Sequence, residues 1–131
     1  MSIGGDQIRI RISNVFGGTD LPITAATVAL PTNGAVGVGS IQTSSLQTLT
    51  FSGNSSAVIP NGALIVSDPI KFNIKPQSML AVTLYLAQGQ QGNAISSHPG
   101  SRTTSWMARG NQVSAANVST ASVAHWSVSC I

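Results

Sequence analysis

The stretch Ile8-Arg9-Ile10-Arg11-Ile12-Ser13 decides the fold class. Isoleucine takes every second position, and a cation or a hydroxyl takes the positions between. A period of two sends alternate side chains to opposite sides of an extended backbone, so the segment reads as a strand with one buried face. β-branched isoleucine suits that backbone and not a helix. The run ends at Asn14 and Gly17-Gly18, a turn. The same alternation returns at Ile70-Lys71-Phe72-Asn73-Ile74-Lys75.

Working outward, the remaining chain repeats this plan in short pieces. Ile23–Leu30 is rich in strand formers and closes at Pro31-Thr32-Asn33-Gly34. Val36–Ile41 carries Gly37 and Gly39 and reads as a weak or bulged edge strand. Leu46–Phe51, Ala57–Ile59 and Ala63–Val66 follow, the last two separated by Pro60-Asn61-Gly62, a turn in which Pro presets φ and Asn-Gly supplies positive φ. Met79–Ala87 is apolar on both faces and is expected to be a central strand. Thr103–Arg109 and Thr120–Val128 are the last strand candidates, and Ser114–Ser122 is the one place where a short helix is expected to intrude. Elsewhere no i, i+3, i+4, i+7 pattern persists. The expectation is an all-β, antiparallel, jelly-roll-like sandwich of about 8–10 short strands, with residues 1–131 forming one domain.

The composition agrees. Only 7% of the 131 residues are charged, against about 25% in an ordinary domain. Asp6, Asp20 and Asp68 are the only acids, and glutamate is absent. A charged helical bundle is thereby excluded, and 42% hydrophobic residues argue against disorder. No apolar run is long enough to span a membrane as a helix. The net charge of +3 comes from six cations scattered along the sequence, too few for an expected nucleic-acid footprint. Cys130 is the single cysteine, so no internal disulfide can form. The first residues carry no basic-then-apolar leader pattern.

Few side chains are suited to catalysis. No metal ligand set has a recognisable spacing, and neither a metal nor a cofactor is expected. A pair of facing carboxylates would have to come from three aspartates. Asp20 and Asp68 stand in turn-like contexts, where Asp serves backbone N–H groups. The candidate binding residues are Trp106, Arg102, Arg109, Tyr85 and His98. An aromatic face can pack on a sugar ring while polar neighbours bond its hydroxyls. The other reading of Trp106 and Trp126 is that they fill the core of a small sandwich, Trp126 more readily than Trp106. Asn54-Ser55-Ser56 and Asn117-Val118-Ser119 are glycosylation sequons.

Ser2-Ile3-Gly4-Gly5-Asp6-Gln7-Ile8-Arg9-Ile10-Arg11-Ile12-Ser13-Asn14-Val15-Phe16-Gly17 resembles a signature of the form S-x-G-G-x-x-x-R-x-R-x-S-N-x-F/Y-G. Leu21-Pro22-Ile23-Thr24-Ala25-Ala26-Thr27-Val28-Ala29 continues it as L-x-I-x-x-A-x-V-A. Together these are similar to the N-terminal β-sandwich region of secreted microbial GDSL-type (SGNH) hydrolases, the fungal ones especially. The resemblance implies a sandwich fold and an extracellular location. The family's Gly-Asp-Ser and Asp-x-x-His blocks have no counterpart here, so the chain is expected to be the accessory region without esterase activity. The expected function is a lectin-like or cell-surface-binding module. The alternative is a protein-interaction or immunomodulatory protein, with a residual esterase last. Its expected partners are a glycan or a cell-surface protein. A sandwich parted from its catalytic domain should also cover its exposed edges by forming a homodimer or a higher homo-oligomer.

Overall fold

The computed structural model describes residues 3–94, Ser96, residues 103–118 and the strand Ser122–Ala124. It is all-β and antiparallel. The strands are β1 (Gly5–Ile8), β2 (Arg11–Ser13), β3 (Leu21–Ile23), β4 (Ala25–Ala29), β5 (Gln47–Thr48), β6 (Ala57–Ile59), β7 (Leu64–Val66), β8 (Ile70–Ile74), β9 (Ala81–Tyr85), β10 (Ser105–Met107) and β11 (Ser122–Ala124). Two short 3-10 turns stand at Thr32–Gly34 and Thr43–Ser45.

The strand pairings nest inside one another. Gly5 faces Ile74, Ile8 faces Ile70, Arg11 faces Val66, and Ser13 faces Leu64. Leu21 then faces Ile59, Ile23 faces Ala57, Thr27 faces Thr48, and Pro31 faces Ile41. Residues 5–74 are thus one long antiparallel ribbon, doubled back at residues 32–40. Two positions allow it to bend. At Ile10 the ladder is completed by Ser67, whose N–H donates to Ile10 O (2.8 Å) and whose hydroxyl accepts from Ile10 N (2.9 Å). At the β2–β3 connection Asn14 is fully buried and binds both strands of the ribbon. After the ribbon, β9 returns along the free side of β4, giving the order β5-β4-β9. β10 and β11 form a separate pair.

One core lies inside the ribbon. Ile10, Ile12, Ile23, Ala26, Val28, Leu49, Phe51, Ile59, Phe72 and Ile74 are buried together. The two alternating stretches therefore supply Ile10, Ile12, Phe72 and Ile74 to it, as their period requires.

Three expectations need correction. Val36–Ile41 forms no strand: Gly37 turns to φ +72°, Val36 and Val38 are exposed, and only Ser40 and Ile41 make bridges. Met79–Ala87 is not a buried central strand among the described residues. β9 pairs only with β4, and its five residues are half-buried. The central place belongs to β4, whose small buried Ala26 faces Leu84 and whose buried Val28 faces Val82. No helix occurs within residues 114–118. That segment instead lies extended along residues 39–41, with Ile41 N donating to Ala116 O (2.9 Å) and Val118 N to Gly39 O (2.7 Å).

Candidate functional site

The aspartates serve the backbone. Asp68 accepts from the Thr50 hydroxyl (2.7 Å), Gly53 N (2.8 Å) and Ser52 N (3.1 Å). The Thr50 hydroxyl does most to hold its carboxyl below the usual carboxylate range, followed by Gly53 N–H, with Ser52 N–H and the Arg9 charge adding to it. Asp20 accepts from Asn61 N (2.9 Å), fixing the Pro60-Asn61-Gly62 turn, where Gly62 has φ +79°. Asp6 is exposed in the β1 bulge. Among the described residues no group of three His, Cys, Asp or Glu side chains converges as a metal site would. No helix there is long and apolar enough to cross a membrane.

Of the expected binding residues, the structure places three. Trp106 is half-buried at the middle of β10, between half-buried Ser105 and exposed Met107, and faces Val123 across the pair. Arg109 is exposed in the bend that follows, two residues beyond the strand. Tyr85 ends β9, half-buried, and faces Ala25. Tyr85 and Trp106 belong to different ladders, so the structure does not assemble them into one sheet face. Arg102, His98 and Trp126 lie outside the described residues. Asn54 is exposed in a tight turn closed by reciprocal backbone bonds with Phe51. Asn117 is exposed as well and bridges Ser40.

A second surface escapes a reading made along the sequence. Arg9 and Arg11 alternate with buried Ile10 and Ile12, and Lys71 and Lys75 alternate with buried Phe72 and Ile74. All four cations are exposed. Because β1 pairs with β8, and Gln7 stands opposite Lys71, both outward rows lie on one side of the ribbon. The row continues along β2, where Arg11 faces exposed Val66. Four of the chain's six cations thus meet on one face, although some sixty residues separate the two pairs. The two amphipathic strands were legible one at a time; their pairing was not.

That face runs into a shallow open depression lined by Leu30, Ser45, Gln47, Lys71, Phe72 and Asn73. The Gln47 amide nitrogen donates to Lys71 O (2.8 Å) and ties β5 to β8 across it. Its groups are amides, a hydroxyl and an ammonium, which can hydrogen-bond a polar ligand but offer no acid–base pair. No protein-family model matches the chain, and no curated protein matches it either.

Proposed function

We propose that this chain is a non-catalytic, lectin-like binding module of jelly-roll type, which recognises a glycan or a glycan-bearing surface outside the cell. In this reading it corresponds to the accessory N-terminal region of GDSL-type hydrolases, and it carries out no ester hydrolysis. The observation behind it is Trp106, held by β10 with its side chain half-exposed and with exposed Met107 and Arg109 close by in the chain. Such a ring offers a flat apolar face to a sugar, and the guanidinium offers donors to its hydroxyls. The use of Asp68 and Asp20 as backbone acceptors supports the non-catalytic half of the reading.

A glycan array probed with the wild-type chain tests it. The expected result is a set of hits that Trp106→Ala loses while its thermal midpoint stays close to that of the wild type. An array without hits, or a variant that binds like the wild type, refutes the reading. Hydrolysis of p-nitrophenyl acetate above the buffer rate refutes the non-catalytic part.

A second reading, an interaction module that forms a homodimer, is favoured by one observation. Leu64 and Val66 on β7 and Val58 on β6 are exposed apolar side chains along one stretch of the ribbon. Sedimentation that shows a strict monomer at micromolar concentration rejects it.

A further inference from the structure

We propose that the outward row of β1, β2 and β8 is a docking track for an acidic polysaccharide, with Arg9, Arg11, Lys71 and Lys75 receiving its carboxylates or sulfates. The proposal rests on the glycan-binding reading above but uses a different surface from Trp106.

The argument begins with placement. Each of the four cations is exposed, and each is next in sequence to a residue buried in the core: Ile10 flanks Arg9, Ile10 and Ile12 flank Arg11, Phe72 follows Lys71, and Ile74 precedes Lys75. Their backbones are therefore fixed by the core, and the charges stand on a rigid sheet. Alternate residues on a strand lie about 7 Å apart. Arg9 and Arg11 stand on either side of the bend at Ile10, Gln7 extends the row to a point opposite Lys71, and Asn73 and Lys75 carry it further. The result is a narrow row of positive charge that follows the ribbon through its bend at Ile10 and suits a flexible linear polyanion.

The local carboxylates leave this charge in excess. Asp6 sits in the β1 bulge, and Asp68, held by Thr50, Ser52 and Gly53, offsets part of the Arg9 charge only, leaving Arg11, Lys71 and Lys75 in excess. The groups interleaved with the cations are the amides of Gln7 and Asn73 and the hydroxyl of Ser13. These can bond sugar hydroxyls. The row holds no aromatic side chain, because Phe72 points into the core, so it lacks the stacking platform that single-stranded nucleic acid uses. The depression beside Lys71 and Asn73 gives room for a branch or a ring substituent.

The test is titration of the full chain with polygalacturonate and with dextran sulfate, with neutral dextran and a DNA duplex as controls, at low and high salt. Expected are binding to one or both acidic polymers, weakening at high salt, no binding to dextran, and weaker binding to DNA. The double variant Arg9→Gln with Lys71→Gln should lose about tenfold in affinity while keeping the wild-type thermal midpoint. Absence of binding to both acidic polymers, an unchanged double variant, or DNA bound as tightly as the polysaccharides each overturns the proposal. Array hits that need Trp106, found together with no binding to either acidic polymer, would leave the glycan-binding reading standing while removing this one.

Discussion

Asn14 Oδ1 lies 1.9 Å from the place a Cβ would occupy on Gly17. The side chain is packed there because its amide nitrogen donates to Thr19 O (2.8 Å) and Ile59 O (3.1 Å), while Asn14 O accepts from Gly17 N and Gly62 N. One buried residue therefore joins the β2–β3 turn to the β6–β7 turn across the ribbon. The Ser13-Asn14-Val15-Phe16-Gly17 block of the sequence has this physical reason: the asparagine makes the joint, and the glycine leaves room for it.

Asn14→Ala should cost about 3 kcal/mol, since it removes a buried amide that bonds Thr19 O and Ile59 O and leaves a void in its place. Gly17→Ala should cost about 1–3 kcal/mol by overpacking. The double variant should be less destabilised than the sum of the two, because Asn14→Ala removes the atom that the new methyl meets. Urea denaturation of the four proteins measures this. Strict additivity would show that the two residues do not act through this contact.

Ser67→Ala should cost about 1–3 kcal/mol, because the buried Ile10 N–H loses the Ser67 hydroxyl that accepts from it where the ribbon changes direction. Ser67→Thr adds a methyl in a site with no exposed surface and should not restore stability. Thermal unfolding of both variants checks the pair.

Asp68 gives a pH dependence whose sign is fixed. Its folded-state pKa lies below the ordinary 3.8. The stability it contributes is therefore complete above about pH 4 and is lost as pH falls through the depressed folded value. Asp68→Asn should lower stability at neutral pH and flatten the acid limb of the stability curve. Denaturation midpoints measured from pH 7 down to pH 2 test this, and parallel curves for the two proteins would refute it.

Thr27 is buried on the side of β4 away from the core, where its hydroxyl donates to Val113 O (2.7 Å). Thr27→Val keeps the shape and removes that bond. Hydrogen exchange should speed up at Ile41 and Val118, whose N–H groups hold the 113–118 segment to residues 39–41. The amides paired within β2 and β7 should keep their protection. Loss of protection over the whole chain would mean that the segment belongs to the main cooperative unit.

The strands that alternate cleanly were readable because each has one wet and one dry face. Ile8–Ile12 and Ile70–Ile74 are the plainest cases, and the turns at Pro31–Gly34 and Pro60–Gly62 carry their own backbone chemistry. Val36–Ile41 misled because valine favours a strand wherever it stands, whereas here the valines are exposed at the tip of the ribbon. Met79–Ala87 misled because an apolar run does not reveal how many neighbours it will have. For the site, Trp106 could be named from its residue type, but the charged row could not. It exists only once residues 7 and 71 are placed opposite each other, and register over such a separation leaves no local mark.

The nesting of the pairings also bears on how the molecule is made. Among the described strands β1 is matched only by β8, so it waits until residues 70–74 have been synthesised. The innermost bridge, Pro31 with Ile41, closes a loop of nine residues, and each later pairing adds only a short length of chain on either side of the pairing it encloses. Loop closure costs little when the intervening chain is already joined. The nesting therefore offers the ribbon a route of closure from its tip toward its ends, although its final contacts are mostly distant in sequence.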